Sequence, residues 1–118
     1  MSSRSSSRPK PRNASERRPA WWYRLRGYVV LDTNRWLAGS ELDIVARRGR
    51  TVVFCEVKSK SGPSYGDPLE MVTPTKVERL RRAAEAWLAS HPELADLDVR
   101  FDVIADCGRR LQHVADAF

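Results

Sequence analysis

The stretch ELDIVARRGRTVVFCEVKSK, residues 41–60, holds residues whose chemistry does not match their surroundings. Glu41, Asp43, Glu56 and Lys58 sit among Leu, Ile, Val and Phe. Charged side chains are almost never fully buried without a partner or a bound ligand. The pattern reads as two β-strands joined at RRGR. Side chains alternate faces along a strand, so Glu41, Asp43 and Val45 share one face of the first strand. Phe54, Glu56 and Lys58 share one face of the second, and Val53, Cys55 and Val57 the other. Two registers are open. With Arg48 and Gly49 as the turn, Asp43 pairs with Phe54 and Glu41 with Glu56. With the pairing shifted by two, Asp43 faces Glu56 directly. Either way Asp43, Glu56 and Lys58 lie on one face, and a one-residue slip would turn the apolar set over.

Carboxylates gathered on one face raise one another's pKa. A divalent cation relieves that, and Mg²⁺ accepts one or two carboxylates with waters completing its shell. A lysine beside it can stabilise charge on a phosphate or help deprotonate a water. A cation there would activate water for phosphodiester cleavage and offset the developing charge. A half-exposed sheet face would also place charges at alternate positions, and Glu-x-Lys is a common tripeptide. The residues alone leave both readings open. The context that favours a site is the apolar neighbourhood, the 13 residues from Asp43 to Glu56 and the Gly-containing turn between them.

The elements that must hold this pair follow from periodicity. AWWYRLRGY predicts a helix from about Ala20 that stops at Gly27, and YVVLDTN a strand. SGPSYGDP is a loop. TPTKVERLRRAAEAWLAS predicts a helix with Thr73 as N-cap, Pro74 at the first helical position and Val77, Leu80, Ala84, Trp87 and Leu88 on one apolar face. DVRFDVIA is a further strand, CGRR a turn and LQHVADAF a short last element. The order α-β-β-β-α-β-β suits an α/β fold, a mixed sheet flanked by helices. The chain of 118 residues is of single-domain size.

The net charge of +6 is unevenly placed. Residues 1–19 carry Arg4, Arg8, Lys10, Arg12, Arg17 and Arg18 against Glu16, so five of the six charges sit there. This segment, rich in Ser, Pro and Arg, reads as a disordered basic tail, with the folded domain over 20–118. Such a tail adds salt-dependent affinity for phosphates, or serves only as a solubilising arm. No apolar run reaches 18 residues, which predicts no membrane span, and no apolar run follows the basic start as in a secretory signal. Cys55 and Cys107 make neither a disulfide framework nor a zinc spacing, so a reducing cytoplasm is the expected compartment. His91 and His113 have no partner at ligand spacing. Cys55 and Trp87 read as core, and at most one of Trp21, Trp22 and Trp36 as a good platform for a nucleobase.

An acidic residue on one strand, a turn and Glu-x-Lys on the next resemble the PD-(D/E)xK nuclease core of restriction endonucleases and archaeal Holliday-junction resolvases. More closely, the chain resembles the small bacterial UPF0102 (YraN-like) proteins. The stretches that carry this are RGYVVLDTN, the 41–60 hairpin, GDPLEMVTPTKVERLRRAAEAWL, VRFDVIA and HVADAF, in family order from about residue 15 to the end. The resemblance implies a restriction-endonuclease-like αβββαβ core with Mg²⁺ (or Mn²⁺) as the ion. It implies Asp43 and Glu56 as metal ligands, joined by the carbonyl of Val57, with Lys58 as the catalytic lysine. Glu41 falls at an acidic position of the family, with Ser40 where the family has Gly, and a supporting role is the expectation. Lys76 matches the lysine after VTP, in contact with phosphate or simply solvated, with solvation slightly favoured. Glu16 matches an acidic position of the first helix. Pro19 means that this helix either begins near Arg18, leaving Glu16 outside it, or is bent. With Lys76, Arg17 and Arg18 are the candidate nucleic-acid contacts. The expected function is a metal-dependent endonuclease acting on DNA, branched or single-stranded, with a homodimer among the expected assemblies. The alternatives are a catalytically weak or inactive nucleic-acid-binding module of the same fold, and an adaptor for another protein.

Overall fold

Alternation of apolar residues over residues 29–59 builds three consecutive antiparallel strands, and the rest of the chain packs around them. The computed structural model describes the backbone of residues 10–59, 72–108 and 110–118, and side chains from residue 17 onward. Helix α1 spans Lys10–Arg24, followed by β1 (Val29–Leu37), β2 (Ser40–Arg48), β3 (Thr51–Ser59), α2 (Pro74–Ala89), a 3₁₀ turn at Pro92–Leu94, β4 (Asp98–Asp106) and β5 (Leu111–Val114). The five strands form one sheet in the order β1-β2-β3-β4-β5. Only β3 and β4 run parallel, and α2 lies in the connection between them. The loop SGPSYGDP lies outside the described residues.

Two turns set the registers. Ala38 and Gly39 both have positive φ, +51° and +78°, as a two-residue type I′ turn requires, and they close Leu37 onto Ser40. The first strand therefore runs three residues past the expected Asn34. Alanine is an uncommon residue at positive φ, so the turn carries no strong sequence signal. Gly49, at φ +60°, takes the first turn position between β2 and β3, with Arg48 paired to Thr51. Of the two registers open from sequence, this is the one that puts Asp43 opposite Glu56.

Each face of the sheet has its own core. Val45, Val52, Phe54 and Phe101 pack under Leu80, Ala84 and Trp87 of α2. Ile44, Ala46, Val53, Cys55 and Ile104 pack under Ala20 and Tyr23 of α1. Helix α2 begins as its sequence predicts: Thr73 Oγ1 accepts from Lys76 N at 3.2 Å, and Pro74 occupies the first turn. Helix α1 begins at Lys10, inside the basic segment, and continues through Pro19 rather than starting beside it. Pro19 cannot donate to the carbonyl of Ser15. It is fully buried, Ala20 and Tyr23 of the same helix are also buried, and removing its apolar ring from water offsets the lost helical bond. No helix of the described residues is long and apolar enough to cross a membrane.

Trp87 joins packing to polar satisfaction. It is 1% exposed, meets Phe54 edge-on, stacks on His91 at 3.7 Å between ring centroids, and donates from Nε1 to Asp32 Oδ2 at 3.0 Å. Trp87→Ala is expected to cost about 3–5 kcal/mol through the cavity it leaves. Trp87→Phe keeps most of the volume and removes one hydrogen bond to Asp32, which keeps Thr33 N and Arg35, at about 1 kcal/mol. Urea denaturation of both variants measures the ratio, and equal losses would show that the hydrogen bond, not the ring, dominates.

Candidate active site

The β2–β3 ladder runs from Arg48–Thr51 to Ile44–Cys55 and then stops. Past that pair, β2 stays with β1 through Leu42–Arg35 and Glu41–Trp36, while β3 stays with β4 through Glu56–Val103 and Lys58–Ala105. The strands fork there, and Asp43 and Glu56 stand at the fork. A buried backbone N–H without a partner is costly, and the fork interrupts the ladder that would supply one. Asp43 fills the gap: its Oδ2 accepts from Val57 N at 2.8 Å.

Glu56 is 3% exposed, yet its charge is compensated twice. Its Oε2 lies 3.1 Å from Lys58 Nζ and 3.2 Å from Lys76 Nζ. Lys58 reaches it as the next side chain on the same face of β3. Lys76 reaches it from the first turn of α2, which holds no acidic residue. A lysine there opposes the helix dipole, and the buried carboxylate explains its position. The expectation of a solvated Lys76 is thus corrected: both lysines are about one-third exposed and directed at Glu56. Glu41 lies one strand over, where its Oε2 accepts from Asn34 Nδ2 at 3.2 Å. Asn34 is buried at φ +51°, so this contact helps hold an unusual backbone beside the site.

Two carboxylates at one fork, with the Val57 peptide beside Asp43, fit a hard cation that keeps part of its water shell. No group of three His, Cys, Asp or Glu side chains able to hold a metal occurs among the described residues, so the set does not resemble a closed thiolate or imidazole site.

This hairpin and the helix that follows it lie within the stretch that matches other proteins. The profile of "Uncharacterised protein family UPF0102" matches residues 15–105. The chain belongs to the UPF0102 family. A UPF0102 protein of Methylocella silvestris is 39% identical over 105 residues, 79% of this chain and 83% of the relative. One of Frankia casuarinae is 42% identical over 97 residues, covering 78% of this chain and 81% of the relative. One of Kineococcus radiotolerans reaches 48% over 79 residues, covering 67% and 65%. The UPF0102 match begins one residue before Glu16 and so takes in most of the apolar-facing half of α1. Glu16 lies within that helix, and its side chain is outside the described residues.

Arg17 and Arg18 are exposed on α1. Arg18 Nη1 is held by Asp106 Oδ1 at 2.7 Å and by Gly108 O at 3.0 Å. Both arginines border a cleft on the α1 face of the sheet, away from Glu56.

A second buried charge was not anticipated. Asp102, on β4, is fully buried on the α1 face. Its Oδ2 accepts from Tyr23 Oη at 2.7 Å, from Arg100 Nη2 at 3.0 Å and from His113 Nε2 at 2.7 Å. Its Oδ1 accepts from Arg100 Nε at 2.9 Å and Asp116 N at 3.1 Å. His113, which has no partner at sequence spacing, is therefore paired through space. The signal was present in DVRFDVIA, where Arg100 and Asp102 interrupt an apolar strand on the same face. Burial alone would raise the Asp102 carboxyl, but the hydrogen bonds from His113, Arg100 and Tyr23 outweigh it and hold the group well below the usual carboxylate range. Burial pushes the Cys55 thiol up, so it stays protonated and is a core residue rather than a nucleophile.

The linkage has a definite sign. The folded value of Asp102 is depressed, so its contribution is complete above the ordinary value near 4 and is lost as pH falls through the folded value. Asp102→Asn is expected to lose about 3–5 kcal/mol at pH 7. It should also lose less stability than wild type between about pH 5 and pH 2, where the unfolded chain's carboxylate takes up a proton and the folded one stays ionised. Urea titrations across that range test this, and parallel pH profiles for the two proteins would refute it.

Proposed function

We propose that this UPF0102 protein is a metal-dependent endonuclease acting on branched or single-stranded DNA. The observation that carries the reading is the fork, which gathers two buried carboxylates and two lysines from three elements. Asp43 and Glu56 would hold Mg²⁺ or Mn²⁺, with the Val57 carbonyl as a third oxygen. The ion would supply activation of water and stabilisation of charge on the phosphate.

The chain's own groups divide the remaining work. With no cation bound, Lys58 and Lys76 neutralise Glu56. A cation on Glu56 would compete with both ammonium groups and repel them. Each is partly exposed, so it can turn to a phosphate oxygen at small cost. Lys58, on the strand itself, is placed to orient the attacking water or the scissile phosphate. Lys76, at a helix N-terminus where backbone N–H groups also favour anions, is placed to bind a flanking phosphate. The free thiols of Cys55 and Cys107 support a reducing compartment, the cytoplasm. The binding-module reading draws on the same geometry, because Asp43 and Glu56 are already satisfied by Val57 N and the two lysines.

Labelled duplex, single-stranded, flapped and four-way-junction DNAs, incubated in Mg²⁺ or Mn²⁺, separate the two. Asp43→Ala should abolish cleavage. Lys58→Ala should lower it about 10²–10³-fold, as loss of one charge-stabilising donor does. Lys76→Ala should leave the cleavage pattern intact and reduce the slope of log K against log salt by about 0.7–0.9, one phosphate contact. Intact binding without cleavage of any substrate by wild type would sink the enzyme reading and favour the binding module.

A further inference from the structure

On the sheet face away from Glu56, α1 and β5 enclose a cleft of about 370 Å³. Trp21, Trp22, Leu25 and Leu111 give it an apolar wall, and Arg17, Arg18 and Arg26 are its charged lining. Among the described residues no carboxylate lines it. Arg17, Trp21 and Leu25 recur every four residues and form one outward stripe, opposite the buried Pro19, Ala20 and Tyr23. Leu25 continues the helical pattern, donating from N to Trp21 O at 2.9 Å.

The two indoles differ. Trp22 is packed on His113 at 4.1 Å and carries the Arg26 guanidinium at 3.8 Å from its ring centroid. Trp21 is 53% exposed and Leu25 76%, with the Arg24 guanidinium 5.2 Å from the Trp21 ring centroid. Trp21 therefore presents a large, half-exposed aromatic surface with guanidinium groups around it. The cleft also has a defined place. Arg18 is tied to Asp106, which pairs with Ser59, the residue after Lys58, and with Leu111 of the cleft wall. The cleft thus opens at the end of the sheet where Lys58 stands.

We propose that this cleft binds single-stranded nucleic acid, with an unpaired base stacked on Trp21 and the adjoining phosphates on Arg17 and Arg26. This rests on the nucleic-acid reading above and adds the strandedness of the ligand. In a duplex each base has both faces covered by its neighbours, so only an unpaired base can offer a face to the indole. An aromatic platform flanked by arginines matches the two parts of a nucleotide, a π-face and an anion.

The test uses the full chain in EDTA, so that binding is read without cleavage. Labelled oligo(dT), oligo(U) and a DNA duplex of equal length are titrated by anisotropy, with tryptophan fluorescence followed in parallel. Wild type should bind the single strands more tightly than the duplex, with quenching. Trp21→Ala should weaken single-strand binding about 5- to 150-fold, the range for loss of one base–aromatic stack, and leave duplex binding unchanged. Trp21→Phe should recover part of the loss, and Trp36→Ala, at a still more exposed indole on β1, should change nothing. Equal losses on oligo(dT) and oligo(U) assign the cleft to either backbone, and a loss on one alone assigns it to that sugar. Unchanged binding by Trp21→Ala, an equal loss for duplex, or an equal loss in Trp36→Ala would overturn the proposal. So would self-association of wild type that Trp21→Ala abolishes, which would give the cleft to a second copy. Trp21-dependent binding without cleavage in Mg²⁺ would retain the cleft and sink the nuclease. Cleavage without Trp21-dependent binding would do the reverse.

Discussion

The structure turns on the point where β2 and β3 part. Up to Ile44 and Cys55 they form an ordinary hairpin, and one residue later each follows a different neighbour. A fork inside a sheet breaks the backbone ladder in a buried place, and every N–H there needs another acceptor. Asp43 is that acceptor for Val57. A buried carboxylate is tolerable because the backbone needs it, and the need for a polar group there makes a charged site possible at the centre of an apolar sheet. The register that brings Glu56 alongside follows from Gly49, whose positive φ lets the chain turn after Arg48 and not one residue sooner.

The two faces of the sheet treat buried charge in opposite ways. Asp102 receives donors from a helix, two strands and the C-terminal segment, all within 3.1 Å, in a setting with no exposure. Removing any one partner leaves a buried charge short of compensation, which is strongly unfavourable. That arrangement is suited to holding α1, β4 and β5 in fixed relation. Glu56 is compensated by two flexible ammonium groups, each with access to water. Those contacts are individually weak and exchangeable. The network around Asp102 locks a helix and two strands together, whereas the pairs around Glu56 leave two ammonium groups able to turn.

The local features of this chain were legible because they are periodic. Alternation in SELDIVARR and TVVFCEVKS, the Thr73–Pro74 start and the apolar face of α2 all express themselves within a few residues. The family was legible from the same stretches taken together. What was not legible is contact through space. His113 has no partner in sequence because its partner, Asp102, lies on the neighbouring strand. Lys76 reads as solvated unless Glu56 is known to lie beneath it. The end of β1 was misplaced because Ala38 adopts a conformation that its side chain does not favour. Helix α1 starts earlier than its proline suggests, because burial of Pro19 outweighs the hydrogen bond it cannot make.

Helix α1 links the two halves of this picture. Tyr23 fastens it to Asp102 on β4, and Arg18, five residues earlier, fastens it to Asp106 at the end of the same strand. The buried Tyr23–Asp102 bond is the stronger attachment, and the exposed Arg18 pair adds a weaker one roughly 7.5 Å and about one and a half turns away. Pro19, Ala20 and Tyr23 then face the sheet, and the stripe through Arg17, Trp21 and Leu25 must face outward. Its exposure is a consequence of those anchors and cannot be relieved by rolling the helix without breaking the buried Asp102 network. An aromatic surface held open in this way is stable only because the rest of the helix is so firmly seated, and that rigidity is what a platform for a stacked base requires.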